Sequence, residues 1–485
     1  MNIAEALSGR ANLEGIRWML QSGAPRRALR REVSALLSAP GLLGACRLRY
    51  ARFGPGHKLT AYYDADIRLA NGCSTRPIAA AWSMDEDAEQ HAGTAELAEL
   101  HAEAARHGVA TPFRRLAAEL PDWGMRILIS PLDIGIPQLL RLCNPRYARE
   151  MIVRACADET SFDPAAASGY AVTPIRYRPG KRHVLRYDPV GAARGKALFA
   201  KLYHNEKGAR VFRVANQVAG WLQQHGGGVT SVRPLAYVAE DSVVLYPQLP
   251  GTPLSNHLRR PSYDPAQPLK LAGAALHALH MLPQEAVVPL RTLNFAAEIR
   301  EVERDVAHIS ALLPSLGAEI QALLSRAQEL HERLPQEPPT FTHRDFKCEH
   351  LLVTPGGLTL IDFDICAFAD PALDIGKFLA DLQLWFARND RAGLEQAQEQ
   401  FLAGYGPAAA EGRAIRARLY ESVVLVKMAI LRARLFEPNA EHRTKRLIDR
   451  AQAVIDKLEL GFSLPGRLGN QASSFSFQRE EGRGT

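Results

Sequence analysis

Short runs in which apolar and polar residues alternate dominate residues 46–83. LRYARF (48–53), KLTAYYDADIRL (58–69) and RPIAAAWS (76–83) read as strands, with Gly54-Pro55-Gly56 as a turn. Residues 1–45 before them read as broken helix. After them the pattern predicts an acidic, Ala-rich helix over 85–107, two apolar strand-like stretches and a further helix to 157. Residues 158–169 are small and polar and read as a linker. The strand pattern then returns in TPIRYRPGKRHVLRYDP (173–189) and KALFAKLY (196–203). A helix is predicted over 207–224, stopped by Gly226-Gly227-Gly228, followed by strands over 229–239 and 242–247. Past Pro253 the spacing is helical over 266–282, 292–312, 316–334 and 373–460. One predicted β-hairpin, over 350–363, interrupts it. The Gly- and Ser-rich tail from 462 reads as disordered.

The same order of elements occurs twice. GPGHKLTAYYD (54–64) matches RPGKRHVLRYD (178–188) at Pro, Gly, Tyr and Asp, and ILISPLDIGIPQLLRL (127–142) matches VVLYPQLPGTPLSNHL (243–258). Pro131, Gly135, Pro137 and Leu142 align with Pro247, Gly251, Pro253 and Leu258. The pattern predicts that 46–142 folds in the order of 173–258, with Ala81 where Lys201 sits.

Composition narrows the class. A chain of 485 residues exceeds one compact core, and 47% hydrophobic with 23% charged residues is ordinary for a globular protein. There is no apolar run of membrane length and no basic-then-apolar start, which argues for a cytoplasmic protein without a membrane partner. Six scattered cysteines form no CxxC pair and read as free thiols. The net charge of +7 is spread among acids. The densest cluster, Arg26-Arg27-Ala28-Leu29-Arg30-Arg31, lacks interleaved aromatics and reads as a solvated helix face, not a nucleic-acid site.

The chemistry concentrates in Thr342-His343-Arg344-Asp345-Phe346-Lys347-Cys348-Glu349-His350, followed by LLVT, Pro355-Gly356-Gly357 and Leu358-Thr359-Leu360-Ile361-Asp362-Phe363-Asp364. Two strands joined by a tight turn bring their outer ends together. Asp345 and His350 enter the hairpin where Asp362 and Asp364 leave it. Such a cluster suits phosphoryl transfer, in which one carboxylate orients a hydroxyl and others hold a divalent ion on nucleotide phosphates. A little further on lies Asp370-Pro371-Ala372-Leu373-Asp374.

These three boxes, in this order and spacing, resemble the aminoglycoside phosphotransferase and choline kinase-like family of small-molecule kinases over roughly 170–460. The resemblance implies an α+β, two-lobed protein-kinase-like fold, with a small β-rich N-lobe and a mainly helical C-lobe. It divides the chain into an N-terminal α+β domain (1–165) that reads as a degenerate N-lobe copy, an N-lobe (166–252), a C-lobe with the catalytic hairpin (253–461) and a tail (462–485). It implies ATP and Mg²⁺ as cofactors and a small-molecule hydroxyl as acceptor. Asp345 becomes the catalytic base or orienting carboxylate and Asp362 the principal metal ligand, with Asp364 as a second. Asp374 and Asp370 support the catalytic loop, and His343 ties it together by hydrogen bonds. Lys201, on an apolar strand, would hold the α- and β-phosphates. Gly180, Lys181 and Arg182 form the turn over the phosphates, offering backbone N–H groups and two cations. Tyr246 and Gln248 lie where the adenine-binding hinge would be.

Three features depart from the family pattern. His350 stands where a metal-binding Asn is usual, and imidazole is a softer ligand than Mg²⁺ prefers. The helix 207–224 carries no Glu to pair with Lys201, which leaves Glu206 as the nearest acid. There is no G-x-G-x-x-G. The reading is an ATP-dependent phosphotransferase, with a catalytically impaired pseudokinase acting as a nucleotide-binding or scaffold module as the alternative. Asp381 and Glu421 are exposed-carboxylate candidates for the acceptor pocket. Three uses stay open for the N-terminal unit: bracing the kinase lobe, forming a homodimer, or capping the cleft.

Overall fold

A computed structural model of the chain describes residues 3–463, except 9–10, 55–57, 71, 84–93, 158–166, 192–195, 407–410, 433–436 and 438. The expected linker and tail, the tip of the first turn and the start of the expected helix over 85–107 fall largely outside these residues.

The first unit opens with helices α1 (Ile3–Leu7), α2 (Asn12–Gln21) and α3 (Gly23–Leu36). Pro25 is accommodated in the first turn of α3, where no intrahelical N–H is lost. Strands β1 (Leu43–Gly54), β2 (Lys58–Leu69) and β3 (Gly72–Trp82) follow, then α4 (Thr94–Arg106), β4 (Ala117–Leu120) and β5 (Met125–Ile129). Leu59, Ala61, Tyr63, Ala65 and Ile67 of β2 are all buried, the period of two expected of a strand with one covered face. Helices α5 (Leu139–Leu142) and α6 (Pro145–Ala155) end the unit. Asn144 caps α6, accepting the N–H of Arg146 at 2.8 Å.

The second sheet comprises β6 (Gly169–Arg178), β7 (Arg182–Val190), β8 (Leu198–Leu202), β10 (Ala236–Val238) and β11 (Val243–Pro247). Helix α7 (Lys207–His225) and strand β9 (Val229–Ser231) lie between β8 and β10. As predicted, the glycines after α7 stop it, with Gly227 and Gly228 at positive φ.

The remainder is mainly helical. It contains β12 (Thr252–Pro253), α8 (Leu254–His257), α9 (Ala266–His280), α10 (Phe295–Leu312), α11 (Pro314–Glu332) and β13 (Thr340–Thr342). Then come β14 (Leu351–Thr354), β15 (Gly357–Leu360), β16 (Ala367–Ala369), α12 (Ala372–Arg388), α13 (Leu394–Tyr405), α14 (Glu411–Arg432) and α15 (Ala440–Ser463). The fold class is α+β, as expected, and no described helix is long and apolar enough to cross a membrane.

The two five-stranded sheets share one antiparallel topology, β1-β2-β3-β5-β4 and β6-β7-β8-β11-β10. In the first, Ala81 lies opposite Thr60; in the second, Lys201 lies opposite Val184. Thr60 and Val184 are the residues matched by the sequence alignment, so Ala81 holds the register position of Lys201. The later match shifts. Ala81 faces Arg126 on β5 while Lys201 faces Val244 on β11, which aligns Ile129, and not Pro131, with Pro247.

The hairpin forms as β14 and β15, with Leu351 opposite Leu360. It ends earlier than the sequence pattern suggested. Asp362 has φ 73° and turns the chain out of the strand after Leu360. Strand alternation therefore does not govern Asp362 and Asp364. Gly357, at φ 138°, has no room for a side chain, because a Cβ would lie 2.1 Å from the Gly228 carbonyl.

The outer face of the second sheet is covered by the first unit. Tyr170, Leu185, Tyr187, Leu198, Ala200, Leu202 and Leu245 pack in one buried cluster with Ile136, Leu139, Leu142, Met151 and Ile152. Each large side chain so buried contributes about 1.5–3 kcal/mol, and a folded domain has only about 5–15 kcal/mol to lose. A chain beginning at residue 167 is therefore expected to aggregate or lose its cooperative melting transition. Size-exclusion chromatography and circular dichroism would check this, and a monomeric, cooperatively melting fragment would contradict it.

Candidate active site

The outer end of the β14–β15 hairpin gathers the predicted residues into one cleft beneath the second sheet. Its loop is built around Asp374, a fully buried residue in the first turn of α12. One oxygen accepts the His343 N–H at 2.6 Å, the other the Arg344 N–H at 2.7 Å. This holds Arg344 at φ 62°, a conformation that costs a non-glycine residue on the order of 1 kcal/mol. The Arg344 guanidinium points away from the cleft, to Glu298 and to Glu301 at 3.1 Å on α10. His343 is buried. Its Nε2 donates to the Ile361 carbonyl at 3.1 Å, and its Nδ1 accepts the Asp345 N–H at 3.3 Å. Asp370 accepts the Ala372 N–H at 3.0 Å and pairs with the buried Arg416 at 2.7 Å.

Asp345 lies between two lysines, with Lys347 Nζ at 2.7 Å and Lys377 Nζ at 3.5 Å. Burial alone would raise its pKa; the basic groups around it, Lys377 foremost, outweigh that and hold the carboxyl well below the usual range. His350 donates from Nδ1 to the Asp345 carbonyl oxygen at 2.9 Å. A carbonyl only accepts, so Nδ1 carries the proton in this contact. Burial pushes the imidazole pKa down to about 3, which leaves it neutral with the Nε2 lone pair 3.3 Å from Asp362 Oδ2. Asp345, His350 and Asp362 each offer a ligand atom, all within 4.8 Å of one another. Two facing lone-pair donors, with the Asp345 carboxylate beside them as a third, suit a divalent cation.

Lys201 reaches this cluster from β8. Its ammonium lies 2.7 Å from both Asp362 Oδ1 and Asp364 Oδ1. Burial opposes ionisation of Asp362, and Lys201 overcomes it, so the carboxyl stays well below the usual range. Asp364 also accepts from Tyr203 Oη and Arg182 Nη2, each at 2.7 Å. The acid missing from helix α7 is thus supplied by Asp364, and Glu206, before α7, forms no described ion pair with Lys201. Asp364, expected as a second metal ligand, here serves as the partner of Lys201, Tyr203 and Arg182. Its side chain is 2% exposed, three donors occupy it, and it stands outside the cation-suited group.

The turn between β6 and β7 also differs from expectation. Arg182 does point into the cleft. Gly180 turns its N–H away, to Asp133 of the first unit at 2.8 Å, and the Lys181 N–H closes the turn onto the Arg178 carbonyl. Burial, and then the neighbouring charges of Arg52, Arg178 and Lys58, lower the Lys181 pKa. Gly180 and Lys181 therefore offer phosphates no free N–H. Tyr246 lies at the end of β11 opposite Phe199. Gln248 is tied to Ala197, donating its N–H at 3.0 Å and accepting at Oε1 at 3.3 Å. Asp381 and Glu421 are fully buried, which corrects their reading as exposed candidates. Asp381 accepts the Cys348 N–H at 2.9 Å, and Glu421 pairs with Arg418 at 2.8 Å.

Sequence reading missed Lys347, Lys377, Tyr203 and Asp133. Lys347 was two residues from Asp345 in a quoted motif. Lys377 and Asp133 carried a weaker signal, a lone charge within an apolar stretch that must find a partner when buried.

Asp374→Ala would strand two buried N–H groups, at about 1–3 kcal/mol each. We expect a loss of roughly 2–5 kcal/mol in urea unfolding and faster amide exchange confined to 342–350. Unchanged exchange there would show that the loop is held otherwise.

Residues 185–414 match the model of the phosphotransferase enzyme family, APH. No curated protein matches the chain. Among solved structures, the chain is similar to a choline/ethanolamine kinase family protein from Mesorhizobium loti, at 16% identity and TM-score 0.45, over 65% of this chain and 99% of that one. It is similar to spectinomycin phosphotransferase in complex with ADP and spectinomycin, at 14% identity and TM-score 0.42, over 65% and 98%. A choline kinase from Cryptosporidium parvum Iowa II matches at 12% identity and TM-score 0.47, over 66% and 98%. The resemblance read from the three sequence boxes is borne out, since the segment that carries the β14–β15 hairpin, Lys201, Asp345 and Asp362 is the one that matches the phosphotransferase enzyme family.

Proposed function

We propose that this chain transfers the γ-phosphate of ATP to a hydroxyl of a small molecule. The observation that carries this reading is the convergence of Asp345, His350, Asp362 and Lys201 at one end of one hairpin. The first sheet, on this reading, is a degenerate N-lobe copy, since Ala81 stands where a phosphate-binding lysine would be.

Phosphoryl transfer asks for placement and charge stabilisation more than for covalent chemistry. Lys201 would shift from its carboxylate partners towards the nucleotide phosphates, with Arg182 beside it. Asp345 would accept the hydrogen bond of the acceptor hydroxyl and align its oxygen. Held strongly ionised by two lysines, it is a weak base, so it orients the hydroxyl and takes the proton late, as the P–O bond forms. Lys347, on the same carboxylate, provides a cation next to the transferring group. Asp362 and His350 would hold the divalent ion, Mg²⁺ by family resemblance, which supplies charge neutralisation on the phosphates when bound.

A metabolite-library screen for ATP consumption should yield an acceptor, and Asp345→Asn should cut turnover by about 10²–10⁴-fold while retaining nucleotide binding. Nucleotide binding with no turnover on any acceptor would favour the pseudokinase reading.

The metal assignment makes a separate prediction. Asp362→Ala should abolish Mg·ATP-dependent thermal stabilisation, whereas Asp370→Ala should lower the melting temperature and keep it. His350→Asn, which substitutes an oxygen donor, should preserve or raise Mg²⁺-dependent activity. Equal Mg·ATP binding by wild type and Asp362→Ala would remove the assignment.

A further inference from the structure

We infer that Asp133, from the first unit, is a positioning residue for the nucleotide site, setting Arg182 in the cleft by clamping the β6–β7 turn from behind. The inference rests on the proposed nucleotide-binding reading of the cleft. It gives the first unit a role within the same chain, as a part of that site.

Asp133 follows β5 in the apolar stretch Ser130-Pro131-Leu132-Asp133-Ile134-Gly135 and is 2% exposed. A carboxylate so buried must be fully hydrogen-bonded. Oδ1 accepts the Gly135 N–H at 2.9 Å. Oδ2 accepts the Gly180 N–H at 2.8 Å and meets His183 Nε2 at 2.5 Å. Gly180 and His183 bracket Arg182 in sequence. Successive residues of β7 point to opposite faces, so His183 is buried against the first unit while Arg182 emerges in the cleft, on Asp364. One oxygen on the outer face thus holds the Gly180 backbone on one side of the cleft-facing arginine and the His183 side chain on the other.

Further contacts pin the same turn. Tyr177 Oη donates to the Leu132 carbonyl, and the Arg178 guanidinium lies over the Tyr50 ring, 5.3 Å from its centroid. The two segments lie side by side, since a Cβ on Gly135 would make ordinary van der Waals contact with Gly180 Cα, at 3.6 Å. All the first-unit groups named here come from β1 and the segment just after β5. The equivalent segment after β11 in the second sheet holds Gln248, at the expected hinge. The first unit thus presents its own hinge-like segment to the turn over the cleft.

The test is a double-mutant cycle read by calorimetric titration of the full chain with Mg·ATP, without acceptor. Asp133→Asn should weaken binding roughly tenfold, well within what a hydrogen bond to a charged group contributes, and should raise amide exchange over 176–184. Arg182→Ala should weaken binding by at least as much. Adding Asp133→Asn to Arg182→Ala should then cost less than twofold, because the arginine through which Asp133 acts is gone. Wild-type binding in Asp133→Asn, or an undiminished tenfold loss in the Arg182→Ala background, would overturn the inference. If Asp133→Asn fails to fold, His183→Gln, which removes one of the three contacts, carries the same cycle under the same criteria. Absence of Mg·ATP binding by the wild type would defeat the nucleotide reading itself, whereas binding by the wild type with additive losses would defeat only the role of Asp133.

Discussion

The pairing of Lys201 with Asp362 and Asp364 is the interaction on which the rest of the structure depends. It joins a strand of the second sheet to the loop leaving the β14–β15 hairpin, and so ties the two lobes together. Lone charges buried to this extent would be costly, and truncating one partner of a buried pair typically costs about 3–5 kcal/mol because the other charge stays behind. Here every member is matched. Two carboxylates share Lys201, and Arg182 and Tyr203 fill the remaining positions on Asp364. Asp364 is thereby drawn into a structural role, and Asp362 keeps an oxygen facing His350.

A second constraint is backbone strain. Arg344 and Asp362 both adopt positive φ without being glycine. Such conformations persist only where their surroundings over-determine them. Asp374 does this for Arg344 through consecutive N–H groups, and Lys201 holds the Asp362 side chain. The strain turns Asp362 back towards His350 and Asp345 when a continued strand would have carried it past them.

The first unit enters the same chain of dependence. It covers the apolar outer face of the second sheet and places a buried carboxylate behind the turn that carries Arg182. Its sheet shares the strand order of the sheet it covers, yet the two are used differently. One presents a lysine to the cleft. The other presents alanine at that register position and packs its helices α5 and α6 onto its neighbour.

The fold was legible in sequence wherever local patterning governs it. Alternation in 58–69, the Pro-Gly turns, the glycine stop after α7 and the tight hairpin turn each act over a few residues, so the chain itself determined the order of elements in the two units and the meeting of Asp345 with Asp362. The equivalence of Ala81 and Lys201 was likewise legible, because both strands follow the matched segments 54–64 and 178–188, and the registers of the two sheets agree with it. What sequence could not settle were pairings between distant segments. The partner of Lys201 is 163 residues away and not on the next helix. The Gly180 N–H found Asp133, 47 residues back, and Asp381 and Glu421 proved buried. Only tertiary structure decides such matters, because a buried charge constrains only that some partner exists, and which partner it meets depends on how whole elements pack.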